Sequence, residues 1–172
     1  MSMTGLENYR TLLTRVEELC QRTSQAFNAH ITCRAGCDAC CRHLSVFAVE
    51  AAALGGALKE LAPEKGALVR SKARGADEGS PCPLLHDGLC LLYQARPIIC
   101  RTHGLPLLLL RDGERSIDFC PENFQGLPSI PGSAVIDLER LNMMLATINA
   151  LYLQTHPGPE RLTIAEALVL TD

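Results

Sequence analysis

A mainly α-helical fold carrying a small β-hairpin, cysteine-rich metal-binding insert (α+β) is what this sequence predicts, and three observations predict it. Apolar residues recur at helical spacing towards both ends of the chain. Two Asp-Gly turns sit between apolar runs in the middle, and eight of the nine cysteines fall between Cys33 and Cys120. With 172 residues, 47% of them hydrophobic, the chain is long enough for one domain, 1–172, with a true core. Its cysteine region, 33–120, is then flanked by N- and C-terminal helices.

The first helix is marked by Tyr9, Leu12, Leu13, Val16, Leu19, Cys20, Phe27 and Ile31, a stripe with Glu17, Glu18 and Arg22 off it. Cys20 lies on the stripe and reads as a small buried hydrophobe. The segment CRAGCDACC breaks the period, and Gly36 and Asp38 argue for a loop. Residues 44–48 read as extended. A second helix follows from Val49 to Leu61, with Leu54, Leu58 and Leu61 inward, Gly55-Gly56 weakening its middle and Pro63 ending it. A third helix is expected over Glu64 to Ala73, then an exposed connector to Pro81.

The dipeptides Asp87-Gly88 and Asp112-Gly113 signal hairpins. Cys82 and Cys90 flank the first. Across the second, Leu105 to Leu110 pairs with Arg115 to Phe119 and leads into Cys120. Between the hairpins, LLYQARPIIC reads as a turn or two of helix broken before Pro97. After the Pro/Gly-rich stretch 126–132, a helix is expected over Ala134 to Gln154, with Ile136, Leu141, Met144, Leu145, Ile148, Leu151 and Tyr152 facing in. Met143 and Met144 are read as core. A last helix opens at Thr163, whose hydroxyl forms a capping box with Glu166 ahead of Leu168 to Leu170.

The chemistry lies in the cysteines. Cys33, Cys37, Cys40 and Cys41 occupy nine residues, and Cys82, Cys90, Cys100 and Cys120 follow. Zinc takes thiolates at about 2.3 Å, and iron-sulfur clusters are held by four thiolates from short steps plus a remote cysteine. Soft ligands select such metals. Disulfides are the competing reading. The start MSMTGLENYR lacks a basic region followed by an apolar core, so a reducing, cytoplasmic compartment is expected; nine is an odd count, and neighbouring Cys40 and Cys41 are ill placed to bridge each other. Eight thiolates allow two four-thiolate zinc sites or one four-iron cluster with cysteines to spare. Successive side chains on an extended backbone point opposite ways, so Cys40 and Cys41 serve different purposes unless helical geometry turns both inward.

Other classes find less support. A net charge of −3 and 4% aromatic residues argue against nucleic acid. The longest apolar run, Leu105 to Leu110, falls far short of the roughly 20 residues that cross a bilayer. No Ser-His-Asp order, phosphate-binding glycine loop or paired catalytic carboxylates stand out, so no catalytic residue is assigned. Arg34, Arg42, Arg96 and Arg101 lie close to cysteines and would offset surplus thiolate charge. His103 follows Cys100 by three residues as a candidate ligand, weighed against an ordinary surface role; His43 and His86 are weaker.

The run CxxxCxxCC at Cys33 to Cys41, CPLL at Cys82 to Leu85 and CLLYQARPIICR at Cys90 to Arg101 resemble the YkgJ-type cysteine-cluster family, described as zinc- or iron-chelating or as iron-sulfur proteins. The resemblance runs from Cys33 through Cys120. It implies a metal site and a bacterial cytoplasmic setting rather than a reaction. Tyr93, Arg96 and Pro97 match its pattern, which places Arg96 beside the metal rather than on it. Flagellin lysine-N-methylases are similar only in the cluster and are much longer. The CxxxCxxC step also resembles radical S-adenosylmethionine enzymes, but this chain has too few parallel-strand signals for them.

The expected metal ligands are therefore Cys33, Cys37, Cys40, Cys41, Cys82, Cys90, Cys100 and Cys120, holding an iron-sulfur cluster or zinc. The alternative is a structural zinc module that meets a protein partner.

Overall fold

The computed structural model describes residues 4–170; the first three residues of MSMTGLENYR lie outside them. Helix α1 (Thr4–Ala26) buries Tyr9, Leu12, Val16 and Cys20 along one side. The expected stripe reached Ile31, but the helix stops earlier. Phe27 turns to pack its ring, tilted, at 5.6 Å from that of Phe124, and the His30 carbonyl accepts the Phe124 N–H at 2.6 Å. These long-range contacts take the residues that would have continued the helix.

Strand β1 (Ser45–Phe47) leads into α2 (Ala48–Lys59), and α3 (Pro63–Arg74) follows at once. Pro63 opens α3 as well as closing off α2, because the first turn of a helix needs no N–H from it. Strands β2 (Leu85–His86) and β3 (Leu89–Cys90) pair antiparallel with Leu85 opposite Cys90. Strands β4 (Leu107–Arg111) and β5 (Glu114–Asp118) form the second hairpin. Both Asp-Gly pairs have positive φ, at 49° and 73° for Asp87 and Gly88 and at 52° and 82° for Asp112 and Gly113. That is the turn whose twist matches paired strands. As expected, a short helical turn over Tyr93–Ala95 breaks before Pro97, and helix α4 (Ile98–Thr102) begins just after that proline.

Two pairings were not legible. Strand β6 (Ile136–Asp137) runs parallel to β4, with Leu107 opposite Ile136. The long helix α5 (Leu138–Leu153) therefore starts four residues later than expected, capped by Asp137, whose carboxylate accepts the Arg140 N–H at 3.0 Å. Strand β7 (Arg161–Thr163) joins β1, with Val46 opposite Leu162. It delivers the chain to α6 (Ile164–Val169), where Thr163 and Glu166 form the expected capping box.

Two apolar clusters form the core. One gathers Tyr9, Leu12, Val16, Ile98, Leu141 and Leu145 from α1, α4 and α5; the other gathers Leu54, Leu58, Val69, Leu84, Ile164 and Leu168 from α2, α3, the first hairpin and α6. Helix α2 serves both, Val49 on the first and Leu54 on the second. Met143 and Met144 are not core: they are 64% and 40% exposed, on the side of α5 away from α1 and α2. Leu151 is exposed too, so the inner face of α5 is narrower than its apolar content suggested; Leu170, just past α6, is also exposed. No helix among the described residues is long and apolar enough to cross a membrane.

Candidate metal centre

Residues 32–41 carry no helix or strand, and local turns shape them instead. The Cys37 N–H donates to the Arg34 carbonyl at 3.0 Å, the Cys41 N–H to Asp38 at 2.8 Å, and the Arg42 N–H to Cys40 at 3.0 Å. Cys33, Cys37 and Cys40 are left exposed on this loop. Cys120 comes to them from the end of the second hairpin. Its N–H donates to the Gly104 carbonyl at 3.4 Å, and Gly104, at φ +85°, is a cradle. A Cβ there would lie 3.2 Å from Cys33 Sγ and 3.5 Å from the Cys120 Cβ. Cys33 and Cys120 thus meet over a residue that has no side chain.

Asn123 fixes this corner. It is 1% exposed, and its Oδ1 accepts the Thr32 N–H at 2.9 Å while its Nδ2 donates to the Gly104 carbonyl at 2.9 Å and to Cys33 Sγ at 3.3 Å. Phe124, next in sequence, anchors the corner to the core between Phe27 and Phe119, each at 5.6 Å. The thiol of Cys40 lies within electrostatic reach of Cys33, Cys37 and Cys120; burial first, then those neighbours, raise its pKa.

Cys41 faces elsewhere. It packs with Cys82 and Cys90 against the apolar cluster of α2, α3 and α6. Its carbonyl accepts the Cys82 N–H at 3.3 Å, and Arg42 bridges to Pro81 alongside. Cys90 ends the first hairpin, Cys82 lies in the turn that leads into it, and Cys100 is on α4. Burial pushes Cys41 up to about 11 and Cys100 up to about 12, and raises Cys82 and Cys90 as well. Cys41 feels Cys40, its chain neighbour, then Cys82 and Cys90; Cys100 feels Cys82 and Cys90.

All nine cysteines are free thiols, and Cys20 is buried on α1, beside Glu17 and within reach of Arg101 and Arg96. The nearby cations divide. Arg96 stacks 3.6 Å over the Tyr93 ring and offsets part of the burial-driven rise at Cys90 and Cys100; Lys72 does the same for Cys82 while donating to the Leu85 carbonyl. Arg101 instead locks α4 to α1. It binds Glu17 at 2.6 Å and donates to the carbonyls of Arg96 and Gln94. His43 uses both ring nitrogens on backbone, Nδ1 on the Asp77 carbonyl and Nε2 on the Ala165 N–H. His103 and His86 are exposed.

The donor chemistry suits a soft metal, eight thiols with no disulfide among them, and the Gly104 cradle brings two thiol-bearing residues together where any other residue would part them. Among the described residues, however, no three His, Cys, Asp or Glu side chains already converge to ion-holding distance. The thiols are grouped but not closed. A family model for CxxCxxCC, whose description proposes a zinc- or iron-chelating domain, matches residues 32–120. The chain belongs to the CxxCxxCC family. In this CxxCxxCC chain the first step has three intervening residues, Arg34, Ala35 and Gly36, where the family name counts two. The match takes in both thiol groups, Gly104 and the Arg96–Tyr93 stack, and ends at Cys120, just short of Asn123. No curated protein and no solved structure matches the chain.

Asn123 and Gly104 were missed by sequence reasoning. Neither is a metal-ligating type, and the one signal near them is the run Cys120-Pro-Glu-Asn, an Asn three residues beyond a cysteine.

Proposed function

We propose that this chain is a small cytoplasmic metalloprotein that holds an iron-sulfur cluster or zinc on thiolates drawn from Cys33, Cys37, Cys40, Cys41, Cys82, Cys90, Cys100 and Cys120. The observation that carries this reading is the grouping of four free thiols of one loop with four others remote in sequence, around two hairpins and a short helix. Thiols crowded this way repel one another once ionised, and a cation is what relieves that repulsion. The CxxxCxxC step and three exposed thiols favour iron-sulfur, a cofactor assembled from outside. Any such metal would supply electron transfer or structural cross-linking.

A structural zinc module that meets a protein partner is the second reading, favoured by one observation. The first hairpin has strands of two residues each, too short to stand alone; Cys90 ends it and Cys82 accepts the Leu85 N–H in the turn before it. Purification without oxygen, followed by metal analysis, sulfide assay and visible absorption, decides between them. Iron with acid-labile sulfide and a brown colour is expected. A colourless protein with zinc and no sulfide removes the iron-sulfur reading, and a chain that takes up no metal at all removes both.

A further inference from the structure

Cys40 and Cys41 are chain neighbours that belong to different surroundings. Cys40 is exposed beside Cys33, Cys37 and Cys120, whereas Cys41 is half-buried against Leu44, Cys82 and Cys90 in a core cluster. Each group holds four cysteines. Each also has its own support: Asn123, Gly104 and the Phe27–Phe124–Phe119 ring contacts for one, and the first hairpin, α4, Arg96 and Lys72 for the other.

Resting on the chelation reading above, we infer that the eight cysteines form two separate four-thiolate sites, Cys33/Cys37/Cys40/Cys120 at the surface and Cys41/Cys82/Cys90/Cys100 against the core. The surface site exchanges its metal with solution, and the inner site keeps it.

The kinetic difference follows from access. A ligand-exchange step needs an incoming thiolate or chelator to reach the metal as one protein sulfur leaves. Three of the four thiols of the first site lie on an exposed loop held by single turns, so an incoming ligand meets no side-chain wall there. In the second set Cys41, Cys82 and Cys90 are seated in the cluster of Leu84, Leu92, Ala73 and Ala165, and Cys82 is only 9% exposed. Opening that set means opening the core cluster of α3 and α6, which lifts its barrier towards that of local unfolding. Surplus charge separates them too. A zinc ion on four thiolates carries two net negative charges; Arg96 and Lys72 stand near the inner set, and the Asn123 amide donates to Cys33 in the outer one.

Zinc is the probe for the test, loaded into the full-length reduced chain without oxygen. Binding of two zinc ions per chain is expected, released to an excess of a coloured zinc chelator in two phases of equal amplitude, with rates at least tenfold apart. Cys40→Ser should remove the fast phase alone and Cys41→Ser the slow phase alone, each variant binding one zinc; Cys37→Ser and Cys90→Ser repeat the two patterns at positions far apart in sequence. Far-UV circular dichroism of every variant checks that the helices persist. Exposed loop variants such as Cys40→Ser and Cys37→Ser keep the test decisive even where an inner-set variant misfolds. One zinc per chain in the parent, one phase of release, or the same loss from Cys40→Ser as from Cys41→Ser would each overturn the two-site division while leaving chelation standing. No zinc bound by the parent overturns both.

Discussion

The side-chain amide of Asn123 donates to Cys33 Sγ at 3.3 Å across 90 residues of sequence. The same carboxamide holds Thr32 and Gly104, so a single buried side chain sets where the cysteine loop meets the end of the second hairpin. An N–H aimed at sulfur stabilises thiolate, and a group of this kind beside a metal ligand typically affects affinity by roughly 10- to 100-fold.

Asn123→Asp keeps the shape and the bond from Thr32, but removes both Nδ2 donors and sets a carboxylate beside the thiol. Zinc affinity at the surface set should fall by roughly tenfold or more, while zinc at the inner set is unchanged. Chelator competition measures it. Asn123→Ala should in addition lower stability by about 2–3 kcal/mol, because Thr32 and Gly104 lose their buried partner. Equal affinities in Asn123→Asp and the parent would show that the amide positions the loop without acting on the sulfur.

Gly104→Ala tests the cradle. Its φ of +85° strains any other residue, and the new Cβ would meet both Cys33 Sγ and Asn123 Nδ2 at 3.2 Å. A loss of about 1–3 kcal/mol is expected in urea denaturation, together with weaker metal binding at the surface set. Gly126→Ala, also at positive φ but with open space around it, should lose stability alone.

Glu50 is 3% exposed, and its two oxygens accept the N–H groups of Phe47 at 3.1 Å and Ile98 at 3.0 Å. It ties β1 to α4, and so Cys100 to α2. Burial raises its pKa above the usual 4.5, which means that the folded chain binds a proton there more strongly than the unfolded chain. Ionising Glu50 therefore costs stability as pH rises from about 4.5 through the raised folded value. Glu50→Gln, which cannot ionise, should flatten that fall in melting curves taken across the range. Glu50→Ala strands both N–H groups and should cost about 2 kcal/mol at every pH.

Cys20 sits on α1 at 7% exposure, its pKa pushed up to about 11 by burial. Cys20→Ser is expected to leave metal content intact and to cost about 1 kcal/mol. In the metal-free native chain, alkylation should reach Cys33, Cys37 and Cys40 first and Cys20 among the last, read by mass spectrometry of peptides. Metal loss from Cys20→Ser equal to that from Cys37→Ser would show that α1 contributes to the centre.

Much of this architecture could be read residue by residue. The Asp-Gly pairs could demand only positive φ, and the Thr163–Glu166 box needs nothing beyond its own four residues. The ends of α1 and α5 were not legible, because distant partners decide them: Phe124 takes the His30 carbonyl, and β4 takes Ile136. Met143 and Met144 look like core by type. They are exposed because α1 and α2 pack against a different side of α5.

By itself the sequence determined the helices, the two turns and the thiol chemistry, since each depends on backbone preference, side-chain periodicity or the softness of sulfur over a few residues. The tertiary structure alone decided which thiols are neighbours. Cys33 meets Cys120 because Gly104 leaves room and Asn123 reaches across, and Cys41 meets Cys82 because their backbones pair; neither is encoded in spacing along the chain.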